Sequence, residues 1–154
     1  KNALFLCAGA VICKTGRTRV KELRGMGKRL PAVMVCFALA SLSLVGIPPA
    51  GGFLAKWHLA AGAMRAEAGV FAWLGPVVLM VSALLTAGYL FPVIVEGFFP
   101  GEDWRKTAQS EDGRLSVSAF MGVPLAVLGI SLLVLGALGN PVFELLRGIA
   151  SDMV

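Results

Sequence analysis

Two ionisable residues stand where an apolar chain should carry none. The stretch Ser43–Gly62 reads SLVGIPPAGGFLAKWHLAAG, lies in the most hydrophobic part of the sequence, and contains Lys56 and His58. Lys56 precedes Arg65 by nine residues, about 13–14 Å along a helix, which stretches a lysine stem that must snorkel to the interface. A lysine at the centre of a membrane helix costs about 2.5–3.5 kcal/mol, and burial of an amine favours its neutral form. An amine placed this way can gain and lose a proton, so Lys56 is the leading candidate for proton transfer; the alternative is a snorkelling amine. His58 follows two positions later and would point roughly opposite Lys56 on a helix. It is either a relay that titrates near neutrality or a histidine bonded to a neighbouring helix. Lys1 precedes the apolar run NALFLCAGA and would also lie within the membrane if that helix extends upstream. Glu96 reads as an interfacial carboxylate. Ser41, Ser43, Ser82 and Thr86 could line a wet path or bridge helices, and Trp57 is expected to pack between helices.

The elements that must position these groups are membrane helices. The chain has 154 residues, 57% hydrophobic and 15% charged, with mean hydropathy +0.81, against about 25% charged in soluble domains. The class is an all-α polytopic membrane protein, whose helices satisfy their own backbone groups and pack on one another in lipid. Cys7, Cys13 and Cys36 lack metal-ligand spacing and are read as small buried hydrophobes. No dinucleotide fingerprint, phosphate loop or paired CxxC is present. No cofactor and no metal are expected, and redox chemistry within this chain is not.

Four apolar segments follow in order. The first, Asn2–Cys13, is shorter than the roughly 20 residues of a span and is expected to be the end of a helix whose start lies upstream. Lys14–Arg29 carries seven basic residues and one acid; in a membrane chain this reads as a cytoplasmic loop rather than a nucleic-acid site. Pro31–Arg65 holds Lys56 as its one cation before Arg65 and no acid, and as one straight helix would far exceed the ~30 Å hydrocarbon core. Pro48, Pro49, Gly51 and Gly52 break it. Two short spans with a tight turn would fit, but neither half reaches span length, so a discontinuous helix is favoured. Val70–Phe99 is a span with kinks expected at Pro76 and Pro92, Gly101–Ser116 a mixed-charge loop, and Val117–Leu138 the last span. Pro141 opens a C-terminal amphipathic segment with Phe143, Leu146 and Ile149 towards the membrane. The basic-residue asymmetry puts both loops inside and the C-terminus outside.

KNALFLCAG, ELRGMGKRLP, ALASLSLVGIPPAGGFLAKW and SALLTAGYLFPVI occur in this order. Together they resemble the C-terminal part of the antiporter-like subunits of respiratory complex I, membrane-bound hydrogenases and multi-subunit sodium/proton antiporters. The likeness is strong over Lys1–Phe99 and general beyond Gly101. It divides the chain into residues 1–99, part of the antiporter-like domain, and 100–154, a loop, the last helix and the amphipathic segment. The family is built of inverted five-helix repeats, each with one broken helix, joined by a polar axis. The resemblance implies that Pro31–Arg65 is the second broken helix, that Lys56 is the lysine at its break, and that Lys1 is the central-axis lysine of KxxLFLxxG. Some relatives carry glutamate where this chain has Lys56. His58 and Glu96 match no motif of the family.

The function implied is proton translocation within a complex I-like NADH:quinone oxidoreductase or related hydrogenase, through a polar axis that uses a buried lysine. The alternatives are a sodium/proton antiporter subunit and a non-transporting membrane scaffold. The expected partners are other membrane subunits, the lipid bilayer, and protons or sodium, with no nucleic acid. The expected location is a bacterial or archaeal cytoplasmic membrane.

Overall fold

A computed structural model describes residues 1–48, 50–65, 69, 71–99, 118–139, 141, 144, 148 and 149. Every regular element described is helical: α1 (Asn2–Thr15), a 3-10 turn (Val20–Leu23), α2 (Met26–Arg29), α3 (Pro31–Val45), α4 (Gly51–Arg65), α5 (Phe71–Phe98) and α6 (Ala119–Ala137). The discontinuous helix is present. α3 begins with Pro31 at its first turn and ends at Gly46, whose φ of 91° is left-handed. α4 starts at Gly51. Each half has 15 residues, about 22 Å at 1.5 Å per residue, which is shorter than the ~30 Å core. The interruption therefore falls at membrane depth.

α5 and α6 are long and apolar enough to cross a membrane, and both run through internal prolines, Pro76 and Pro92 in α5 and Pro124 in α6. α5 packs one side on α3 and α4. Along its length Trp73, Leu74, Val77, Met80, Leu84 and Leu85 are exposed. An uncovered apolar surface of that extent is not tolerated in water; it is a face for lipid or another membrane chain.

The core sits at one end of the bundle. Cys7, Ala10 and Val11 of α1 meet Met26, Leu30, Val33, Met34 and Cys36, with Leu125 of α6 closing the cluster. Cys36 donates its thiol to the Leu125 carbonyl at 3.2 Å, which registers α3 against α6. The basic stretch 14–29 is more ordered than a solvated loop because Met26 and Leu30, one helical turn apart, are both buried in this cluster. Two expectations are corrected. Cys13 is exposed in the last turn of α1, unlike Cys7 and Cys36, because it falls off the helix face that carries the buried Ala3, Cys7, Ala10 and Val11. Trp57 is exposed and stacks on Phe53, 6.0 Å away and one turn earlier on the same helix, rather than packing between helices. The loop 101–116 and most of the C-terminal amphipathic segment lie outside the described residues.

Candidate functional site: the broken helix

The break follows from backbone accounting. In an α-helix the carbonyl of residue i accepts from the N–H of residue i+4. The carbonyls of Leu44 and Val45 should receive from residues 48 and 49, and both are proline, which has no N–H. The α3 ladder must fail there. Gly46 and Ile47 turn back and donate to the Leu42 carbonyl at 2.9 and 3.0 Å, as a helix closed by a left-handed residue does. Two carbonyls at membrane depth are left to be satisfied.

Lys56 satisfies both. Its ammonium donates to the Leu44 carbonyl at 2.9 Å and to the Val45 carbonyl at 2.7 Å. One side chain from the second turn of α4 replaces the two backbone donors that the prolines lack. These are short, charge-assisted bonds. They resolve the cost that made Lys56 conspicuous, since hydrogen bonds to charged groups are worth about 1.5–3 kcal/mol each, enough to offset the insertion penalty. Lys56 is half-buried rather than enclosed.

Two glycines make the reach possible. A Cβ on Gly46 would stand 2.9 Å from Lys56 Cδ, so the lysine stem lies across Gly46, whose φ already favours glycine. A Cβ on Gly52 would stand 1.8 Å from the Ser43 carbonyl oxygen. Only glycine lets the first turn of α4 approach the last turn of α3 this closely. The Gly52 N–H points to Ser43 Oγ at 3.4 Å. The sequence marks Gly52, with Gly51, as a breaker of the helix; the structure shows Gly52 as a close-approach residue and adds Gly46, which the sequence does not single out.

His58 occupies the opposite side of α4, as helical spacing requires. It lines a cleft of about 630 Å³ with Ser43, Gly52 and Leu54 at the break, and Leu132 and Leu135 of α6. The cleft is mainly apolar, with Ser43 and His58 its polar groups. Lys1 is exposed at the start of α1. α1 runs antiparallel to α3, with Cys7 and Cys36 in one buried cluster, while Val11 and Ile12 share a cleft with Val33 and Met34. Counted from the cysteine pair at 1.5 Å per residue, Lys1 lies about 9 Å and Val45 about 13 Å towards the same end. Lys1 thus stands near the depth of the break, on a different helix. The structure gathers Lys56, Ser43 and His58 around the break and leaves Lys1 apart.

Sequence reasoning missed the partner of Glu96. Arg24 grips the Glu96 carboxylate with two guanidinium nitrogens, and the Gly25 N–H donates to the Glu96 carbonyl at 3.2 Å. The interfacial carboxylate is a latch that holds the basic stretch against the end of α5. Ser41 and Thr86 bond carbonyls within their own helices, those of Phe37 and Ser82, so both act as helix-internal hydroxyls.

The structure is a bundle of apolar helices whose central member is interrupted at two prolines and bridged by a lysine, the discontinuous-helix arrangement of membrane transport proteins. Residues 1–90 match the family described as NADH:quinone oxidoreductase/Mrp antiporter, transmembrane, and the chain belongs to that family. Among curated relatives, NADH-quinone oxidoreductase subunit N of Desulforudis audaxviator is 40% identical over 152 residues, covering 94% of this chain and 29% of the relative. A Na(+)/H(+) antiporter subunit of Alkalihalophilus pseudofirmus is 30% identical over 154 residues, covering 100% of this chain and 29% of the relative. F(420)H(2) dehydrogenase subunit L of Methanosarcina mazei is 33% identical over 144 residues, with 90% and 20% covered. The solved structure of the Mrp complex from Dietzia sp. DQ12-45-1b superposes with TM-score 0.73 at 26% identity, covering 93% of this chain and 33% of the matched chain. The chain spans less than a third of the length of these curated relatives.

Proposed function

We propose that this chain is part of a proton-translocating membrane subunit of a complex I-like oxidoreductase, with Lys56 as a proton-transfer group at the broken helix. The observation that carries the reading is the Lys56 ammonium bridging the Leu44 and Val45 carbonyls. An ammonium has three N–H groups. Two hold the break, and the third can pass to water and return. The neutral amine keeps two weaker donors, so the joint survives the cycle while its strength follows the proton. His58 and Ser43, on the cleft side of α4, serve as the relay towards the bundle end at Arg65. Lys1 serves as the group that exchanges protons with Lys56 laterally across the bundle, at nearly the same depth. The partners are other membrane subunits and lipid on the exposed face of α5. The stretch 14–29 faces the cytoplasm, and the end of the bundle at Arg65 faces outside.

The test is proton uptake by membrane vesicles carrying the assembled complex, normalised to its amount. Lys56→Met keeps the volume, removes the proton and should abolish most uptake. Lys56→Arg preserves a cation on the carbonyls but does not release its proton, so it should assemble and fail to pump. Full pumping by Lys56→Met would overturn the reading. A second reading, a component of a sodium/proton antiporter, is favoured by the match to the Alkalihalophilus antiporter and by the Mrp superposition. It predicts that uptake requires sodium on the opposite side, whereas the first predicts uptake driven by electron transfer without sodium.

A further inference from the structure

We infer that the break in α3–α4 is a monovalent-cation site whose resident cation is the tethered Lys56 ammonium, and that withdrawing the amine opens the site to sodium. The argument is electrostatic and rests on the break geometry, independently of whether Lys56 pumps protons. The Leu44 and Val45 carbonyls converge on one point, occupied by a charge of +1 at 2.9 and 2.7 Å. Neither carbonyl can be recaptured by the α3 ladder, because residues 48 and 49 are prolines whatever the state of Lys56. Both lie at the C-terminal end of a helix, where the macrodipole favours positive charge. Unwound carbonyls and helix C-terminal ends are the donor set that membrane proteins offer to small cations.

The charge and size follow from the same groups. The donors are hard oxygens, which suit alkali ions better than soft metals. They are neutral dipoles, with no carboxylate among them, which is insufficient compensation for a divalent ion taken from water. The Lys56 stem lies over Gly46, within 2.9 Å of where a Cβ would be, so removing that stem leaves room beside the carbonyls for an ion and the waters that complete its shell. The consequence for the wild-type protein is competition: sodium and the ammonium exclude one another at the same two oxygens.

The experiment is equilibrium binding of radiolabelled sodium to the purified complete complex, in choline chloride at constant ionic strength. Lys56→Ala should bind one sodium per complex more than wild type. Excess unlabelled sodium should displace it, and calcium at equal ionic strength should not. Lys56→Arg keeps a cation on the carbonyls and should bind no more than wild type. At a sodium concentration about ten times the dissociation constant, the folded-to-unfolded ratio of Lys56→Ala should rise about tenfold. Lys56→Ser is the second variant, for use if Lys56→Ala does not assemble; it leaves the same space and should gain the same sodium. Binding by both small variants no greater than wild type overturns the inference and leaves the carbonyls merely hydrated. So does extra sodium appearing equally in Lys56→Arg. Pumping by Lys56→Met would remove the transfer reading and leave this result standing.

Discussion

Substituting Gly52 by alanine perturbs the break without touching a titratable group. Helix propensity alone favours the change, by at most about 0.8–1.0 kcal/mol in a helix interior and less at the start of a helix. Geometry opposes it. The new Cβ would lie 1.8 Å from the Ser43 carbonyl oxygen and 2.8 Å from its carbon, whereas close carbon–oxygen contacts sit at about 3.3–3.6 Å. The first turn of α4 must retreat by about 1.5 Å, and the opposing atoms are backbone, which cannot rotate aside. Overpacking costs about 1–3 kcal/mol, and the steric term wins. The retreat also exceeds the slack in the Lys56 bonds, now 2.9 and 2.7 Å, since such bonds end at about 3.2 Å. Gly52→Ala should therefore reduce proton uptake per assembled complex severalfold, with a smaller loss in assembly. Gly62→Ala is the control: it lies on the same helix with nothing within 4 Å of its Cβ, and it should leave both readouts unchanged. Wild-type pumping by Gly52→Ala, measured in the same vesicles, would refute the claim that the close approach of α4 to α3 sets the lysine.

The remaining expectations concern the cleft, the latch and the orientation. His58→Gln should slow proton uptake severalfold with assembly intact; unchanged uptake would make His58 a packing residue of the cleft. The Arg24–Glu96 pair is solvent-exposed, so a double-mutant cycle with Arg24→Ala and Glu96→Ala should give a weak coupling that added salt screens away; a coupling that salt does not weaken would show that another chain buries the latch. Cys13 is exposed beside the basic stretch while Cys7 and Cys36 are buried, so a membrane-impermeant maleimide should label Cys13 in inverted vesicles and not in intact cells. Labelling in intact cells would reverse the orientation.

The membrane class, the helices and the location of the break are legible in the sequence because each follows from local chemistry. Length against bilayer thickness excludes a straight helix over 31–65, and adjacent prolines and glycines locate the interruption. The identity of the orphaned acceptors is equally readable: i+4 counting from Pro48 and Pro49 leads to Leu44 and Val45 without any coordinates. What occupies them is not. Lys56 lies twelve residues from one acceptor and eleven from the other, and its reach depends on how α4 folds back at Gly51–Gly52, a tertiary angle that no local pattern encodes. The Arg24–Glu96 latch is hidden for the same reason, since its members are 72 residues apart. Exposure of Cys13 and Trp57 depends on which face of each helix is covered, which hydropathy does not report.

The broken helix and the buried cation, two anomalies on reading the sequence, are one device in the structure. Prolines without a cation would leave two carbonyls bare at membrane depth, at a cost of about 1–3 kcal/mol each. A lysine without the prolines would carry its own insertion penalty with no partner. A neutral donor such as glutamine could close the joint, but its amide carries no exchangeable charge. An arginine could close it with a charge it does not release. Lysine closes it with three N–H groups around one nitrogen, two of them on the Leu44 and Val45 carbonyls, so the residue that closes this break is also the one we propose moves a proton through it.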